Sequence, residues 1–299
     1  MRSKPVPASA LLLWLLAATI LQSLQAINPS LASESILDMA LDSFDDQYIN
    51  CTQEMERELD ALNQTEFTNN AIYAKAWKVA TDKWAEVRRT QQFPWPPGFR
   101  EEHAVAILAY TLEEQPLYVK FNSAVREAGR SRNHYMQSFH FKTFHFLLTR
   151  AISLLQGEQT PKCHMVYRGV LDKRFQAKTG KTIRFGSFTS SSLNEERALE
   201  FGSATFFTIQ TCHGPRIRQF SQFYYENEVL IPPYESFQVI DSRSGAHSSN
   251  EIHLRSMNKT RTYNCEYIKG AAATGTKALL WPLLLFWSTW LVLSPLGPF

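Results

Sequence analysis

The sequence predicts an α+β fold, with a helical N-terminal half packed on a mixed, mainly antiparallel β-sheet. Three observations support it. Apolar residues recur at helical spacing through the first half of the 299-residue chain. Beyond about residue 160 they form short runs separated by Gly, Ser, Asn and Pro clusters, as strands do. Helices come first and strands afterwards, which argues for α+β over an alternating, doubly wound sheet. No G-x-G-x-x-G follows a predicted strand and no G-x-x-x-x-G-K-[ST] occurs, so a Rossmann or P-loop nucleotide site has no support.

In chain order, the helical candidates are 70–90, 103–111, 117–128 and 134–156. The first carries Ile72, Tyr73, Trp77, Val79, Ala80, Trp84 and Val87 at near-helical spacing, and Phe93-Pro94-Trp95-Pro96-Pro97-Gly98 stops it. The last gathers Tyr135, Phe139, Phe144, Leu147, Leu148, Ile152 and Leu155 on one broad side. Its histidines, His134, His140 and His145, read as packing or surface groups. His140 and His145 are five positions apart and share no helical face. The predicted strands are 164–169, 182–188, 205–211, 228–231, 237–241, 251–255 and 262–265.

Both ends differ from this body. Residues 1–26 have Arg2 and Lys4, an apolar core from Leu11 to Leu21 and a small residue at Ala26, the order of a secretory signal peptide. Ala278 to Leu293 carries no charge and no Lys or Arg follows it, so it is short and unanchored for a membrane span. Ahead of it lie Gly270-Ala271-Ala272-Ala273 and the polar spacer Thr274-Gly275-Thr276-Lys277. That is the order of a glycosylphosphatidylinositol signal, with Gly270 the first candidate attachment residue and 271–299 a removed propeptide. The expected mature chain is one domain, 27–270, monomeric and held by a lipid at the extracellular face of the plasma membrane.

Three of the 31 basic residues (Arg2, Lys4, Lys277) and none of the 28 acids lie in those ends, so the body is electrically balanced. This argues against a nucleic-acid partner or an anionic membrane surface. Four cysteines, Cys51, Cys163, Cys212 and Cys265, imply two disulfides in a secreted chain, with three pairings open from spacing. None has metal-type spacing, and no metal is expected. Asn50, Asn63 and Asn258 open glycosylation sequons.

Three polar patches in the strand half carry the chemistry. Arg168 ends an apolar run and precedes Gly169. An arginine there can pair with an acid or hold phosphate through its planar fork. Ser190 and Ser192 belong to the hydroxyl-rich run Thr189-Ser190-Ser191-Ser192, ordinary turn chemistry or ligand contacts. Glu226-Asn227-Glu228 runs into Val229-Leu230-Ile231. On a strand, the two glutamates would share a face, roughly 7 Å apart.

In this order, within a disulfide-bearing secreted domain, the patches resemble the vertebrate ecto-mono-ADP-ribosyltransferases. These are membrane-anchored relatives of bacterial toxins with an Arg-Ser-Glu signature. The chain is most similar to the arginine-specific, glycosylphosphatidylinositol-anchored branch. The resemblance covers nearly the whole body and includes Ser43-Phe44-Asp45-Asp46-Gln47-Tyr48, Ala124-Val125-Arg126-Glu127-Ala128-Gly129-Arg130-Ser131 and Thr262-Tyr263-Asn264-Cys265. It implies a sheet of the ADP-ribosyltransferase type and the disulfides Cys51–Cys265 and Cys163–Cys212. It implies NAD, and possible use of NADP, as co-substrate. Arg168 would contact the dinucleotide, and Ser190, with Ser192, would position the nicotinamide ribose and the catalytic acid. Glu228 would be that acid, and Glu226 the acid that marks arginine-directed transferases. Phe201 would pack on the nicotinamide, or else belong to the core. The loop 213–225 aligns least well and would hold the preference for a protein acceptor.

The chemistry agrees with these roles. Cleaving nicotinamide from ribose develops positive charge on the ribose and needs no general acid, because the leaving group starts cationic. A carboxylate at the ribose stabilises that charge where it forms, which is the task for Glu228. The acceptor is an arginine of an extracellular protein, protonated at neutral pH, so a second carboxylate, Glu226, would take its proton. Two other readings compete: an NAD glycohydrolase, which would need one glutamate only, and a silent lipid-anchored binding protein, against which the intact residue set argues.

Overall fold

The computed structural model describes residues 33–90, 94–245 and 249–271. Among the described residues, six helices precede the main sheet: α1 (Thr52–Asn69), α2 (Ala71–Thr90), α3 (Glu101–Thr111), α4 (Leu117–Ala128), α5 (Arg132–Ser138) and α6 (Lys142–Glu158). The strands are β1 (Ser33–Ile36), β2 (His164–Val170), β3 (Lys173–Gln176), β4 (Thr182–Arg184), β5 (Thr189–Ser192), β6 (Thr205–Thr211), β7 (Glu228–Ile231), β8 (Glu235–Arg243) and β9 (Asn250–Lys259). A short helix α7 (Glu195–Glu200) links β5 to β6. Seven strands form one sheet in the order β4-β8-β9-β6-β2-β5-β7, and β1 pairs with β3 separately. Within the large sheet only β6 and β9 run parallel.

Two cores result. The helices close around Phe44, Trp84, Phe121, Phe144 and Leu148, with Phe188 and Leu230 reaching in from the sheet. Val166, Phe207, Ile209, Val239 and Leu254 form the other core. Strand β7 divides its side chains between them: Val229 and Ile231 enter the sheet core, Leu230 the helical one. A strand buried on both faces reads as the unbroken apolar run seen in the sequence.

The structure revises several expected elements. The predicted helix 134–156 is two helices. Ser131 caps α5 by accepting from the His134 amide at 3.1 Å, and the chain turns before α6. Helix α6 then receives its cap from elsewhere: Glu66 of α1 accepts from the amides of Lys142 (2.7 Å) and Thr143 (2.9 Å). Both segments pack on the same core, so the apolar pattern runs through the break. Helix α1 was not anticipated; its few apolar residues, Met55 and Leu62 among them, left a weak pattern. The predicted strand 182–188 ends at Arg184, because Gly186 adopts φ 66° and turns the chain.

Residues 262–265 are not a strand. The Thr262 and Tyr263 amides donate instead to the buried Asp45 carboxylate. Asp45 also forms an ion pair with Arg184 at 2.8 Å. Arg184 further donates to the Met39 and Ala40 carbonyls and the Thr260 hydroxyl. The chain's two described ends are tied together there, beside the Cys51–Cys265 disulfide. A second disulfide joins Cys163 to Cys212 across the starts of β2 and the loop after β6.

Candidate active site

Glu228 opens β7 opposite Ser192, the last residue pair between β5 and β7. It shares strand parity with Leu230 and is 5% exposed. Ser221 donates to its Oε2 at 2.9 Å. Burial pushes its carboxyl above the usual carboxylate range, while hydrogen bonds from Ser190 and Ser221 and the Arg168 guanidinium pull it back.

Glu226 does not lie on the strand. It ends a 3₁₀ turn, Tyr224–Glu226, and Asn227 follows in the left-handed region at φ 48°. The expected face-sharing of the two glutamates therefore fails. Beyond the Ser192–Glu228 pair no further strand partner remains, and an Asn accepts the left-handed bend. The Ser192 hydroxyl clamps the turn by donating to the Glu226 carbonyl at 2.6 Å, and the Leu193 amide donates to the Asn227 carbonyl. Half-buried Glu226 is pushed up to about 7, first by burial and then by Glu228; Arg197 pulls it down. Arg197 lies 4.7 Å over the Tyr225 ring and pairs with Glu200.

Arg168, on β2, is partly buried and donates from Nη1 to the Ser190 carbonyl at 2.7 Å. Burial lowers its guanidinium from the ordinary value; Tyr110, Tyr118 and the Glu228 carboxylate oppose this, and neighbouring Arg126 adds to it. It makes no ion pair with a described residue. Arg126 of α4 is in the same position: its Nη1 donates to the Ser187 hydroxyl at 2.8 Å and faces no carboxylate partner among the described residues. Two partly desolvated cations, close enough to act on one another and in no ion pair with a described residue, fit a dianionic pyrophosphate. Tyr110 is close enough to act on both. Its hydroxyl donates to the Phe188 carbonyl and accepts from Asn122, and burial pushes it up to about 12.

The backbone beside Arg168 is closely approached by α7. A Cβ at Gly169 would stand 2.2 Å from the Ala198 carbonyl oxygen, so α7 packs directly on that strand. Phe201 caps the C-terminus of α7 and is 56% exposed, outside both cores.

Arg168, Ser190, Glu226 and Glu228 are thus gathered at one edge of the sheet. Sequence spacing does not mark Arg126 or Tyr110 as candidates for this site, although Arg126 lies in the stretch 124–131 that carries the family resemblance. Tyr110 looks like one more apolar position of a helix. Away from the site, Asn50 and Asn258 are exposed, whereas Asn63 is half-buried in α1 and accepts from the Tyr73 hydroxyl. Gly270 is buried near the end of a helical segment, 266–271, against Met136. The expected signal peptide and most of the expected propeptide lie outside the described residues. Among the described residues no cluster suits a metal ion, and no helix is long and apolar enough to cross a membrane.

A family model described as NAD:arginine ADP-ribosyltransferase matches residues 37–262. The chain is 47% identical over 283 residues to a GPI-linked NAD(P)(+)–arginine ADP-ribosyltransferase 1 of Mus musculus, covering 89% of this chain and 86% of that protein. Its namesake in Homo sapiens is 50% identical over 249 residues, covering 80% and 76%. Among solved structures, the eukaryotic mono-ADP-ribosyltransferase ART2.2 superposes with a TM-score of 0.67 at 39% identity. That match covers 78% of this chain and 99% of that one. A variant of the same protein is solved in complex with NAD.

Proposed function

The chain belongs to the NAD:arginine ADP-ribosyltransferase family, and we propose that Arg168, Ser190, Glu226 and Glu228 perform its reaction. The enzyme transfers ADP-ribose from NAD to arginine side chains and releases nicotinamide. Arg168 and Arg126 bind the pyrophosphate. Ser190 and Ser221 aim the Glu228 carboxylate at the nicotinamide ribose, where it stabilises the positive charge that develops as the bond to nicotinamide breaks. Nicotinamide departs with the bonding electrons and becomes neutral. A guanidinium nitrogen of the acceptor forms the new bond to the ribose, and its proton passes to Glu226. With a carboxyl raised to about 7, Glu226 is matched to taking a proton near neutral pH. Exposed Phe201 covers the nicotinamide side of the site.

The single observation that carries this reading is the buried Glu228 carboxylate, held by hydroxyls, within the field of a guanidinium that has no ion-pair partner among the described residues. The acceptors are arginine-bearing extracellular proteins, and NADP serves as well as NAD. The chain is made with a signal peptide, 1–26, and a catalytic domain, 27–270. Residues 271–299 are exchanged for a glycosylphosphatidylinositol anchor within 270–273, beginning at Gly270. The mature monomer then faces the extracellular space with glycans on exposed sequons.

The test is incubation of the purified ectodomain with labelled NAD and agmatine, beside Glu226→Gln and Glu228→Gln. The wild type labels agmatine. Glu226→Gln releases nicotinamide without labelling it, and Glu228→Gln does neither. Label transfer by Glu228→Gln at the wild-type rate would overturn the assignment. Release of the protein from cells by a phosphatidylinositol-specific phospholipase tests the anchor.

A further inference from the structure

A cavity of about 420 Å³ lies beside the catalytic turn, away from Ser190 and Arg168. Buried Leu155 and Phe220 form its floor; exposed Arg216, Arg218 and Gln219 form its rim. Asn227, the residue between the two glutamates, closes it on the site side. The rim is built rather than loose. The Ile217 amide donates to the Glu228 carbonyl, and the Leu230 amide donates to the Pro215 carbonyl. This lays 215–217 along the free edge of β7, with Arg216 bridged to Val229. Gln159, at the end of α6, fixes Arg216 from the other side: its Oε1 accepts from the Arg216 amide and its Nε2 donates to the Arg216 carbonyl, both at 2.8 Å.

Ile217 and Phe220 turn inward, so both arginines turn outward. Neither forms an ion pair with a described residue. Arg216 donates to the Thr160 carbonyl at 3.3 Å, and the Arg218 guanidinium lies 5.6 Å over the Tyr224 ring. Neither contact neutralises charge. On the other side of the same turn, Arg197 does have its acid, Glu200. In a body whose charges balance, this wall is a local cationic excess one residue from Glu226.

We propose that this cavity docks an acidic side chain of the acceptor protein and thereby selects arginines flanked by Asp or Glu. The inference rests on the transferase reading above. An acceptor arginine that reaches Glu226 from solvent carries its own chain past Asn227. A residue one to three positions away, at about 3.3 Å per extended residue, then falls over the cavity. Guanidinium forks match a carboxylate there in charge and shape. The apolar floor receives the methylenes of the acidic side chain.

The experiment compares peptides with a single arginine and either Asp, Ala or Lys at the flanking positions. Agmatine is the acceptor that cannot reach the cavity. The wild type is expected to favour the Asp peptide over the Ala peptide by about fivefold in kcat/KM, the scale of an exposed charge pair. The preference falls as salt rises. Arg216→Glu with Arg218→Glu inverts the order towards the Lys peptide and leaves agmatine transfer and the KM for NAD unchanged. Equal rates on the three peptides in the wild type overturn the proposal. So does a raised KM for NAD in the double variant, which would assign these cations to the nucleotide. Should the double variant lose agmatine transfer, the wild-type peptide order and its salt dependence decide alone. Wild-type failure on agmatine would instead sink the transferase reading.

Discussion

Arg168 and Arg184 sit on strands of one sheet, yet the structure treats them oppositely. Arg184 is fully enclosed and every direction of its fork is answered: Asp45, two carbonyls and a hydroxyl. Arg168 is partly buried, donates to one carbonyl, forms no ion pair with a described residue, and feels the Glu228 carboxylate and the Arg126 guanidinium only through space. A buried ion pair contributes little net stability, but breaking one strands a charge. The first arrangement therefore locks the fold, tying the segment before β2 to the segment after β9. The second leaves binding capacity unspent, which is what a site for an anionic substrate requires. Counting arginines on strands cannot separate the two; asking where each one's acid is can.

Five substitutions sharpen or break that contrast. The largest effect falls on Glu228. Glu228→Gln keeps its size but loses the charge, and removing one such electrostatic stabiliser costs about 10²–10³ in rate. Nicotinamide release and arginine labelling should fall together, with thermal stability preserved. Preserved release would break the comparison at its catalytic side.

Next comes the lock. Asp45→Ala leaves Arg184 buried without its partner, and a loss of about 3–5 kcal/mol is expected in denaturant unfolding. Arg168→Gln should do the reverse, with stability changed little and NAD binding lost. Equal destabilisation by both would mean that Arg168 is structural too.

A smaller, pH-dependent effect belongs to Glu226. Its carboxyl titrates near 7, above the ordinary 4.5, and only the unprotonated form accepts a proton. Transfer to agmatine should therefore rise with pH through about 7. Arg197→Ala removes the cation that holds this value down, so the midpoint should move upward in the rate profile. The same raised value means that the folded state holds a proton the unfolded chain has lost between 4.5 and about 7. This group's contribution to stability accordingly declines as pH rises through that window.

The smallest expected effect is at Arg126. Arg126→Gln should raise the KM for NAD by about tenfold, the scale of one charge-assisted contact, with kcat nearly retained. An unchanged KM would leave Arg168 as the only cation of the pyrophosphate site.

Local sequence determined what local physics controls. The apolar run Val229-Leu230-Ile231 marked a strand, the spacing of Tyr73, Trp77 and Trp84 marked a helix, and the short run 205–211 between turn-residue clusters marked β6. Arg168, Ser190 and Glu228 stand out as candidates because their residue types and order together resemble one family, although each alone is ambiguous. Tertiary structure decided the rest. The break before α6 is capped by a carboxylate from α1, 76 positions away in sequence. The segment 262–265 has no ladder because its amides are consumed by Asp45, 217 and 218 positions away. Glu226 and Glu228, two apart in sequence, do not share a face. Cross-strand pairing with β5 ends at Ser192, and the chain must bend at Asn227. Periodicity records which residues face a core; it does not record where the partner strand stops, or which distant side chain takes an amide first.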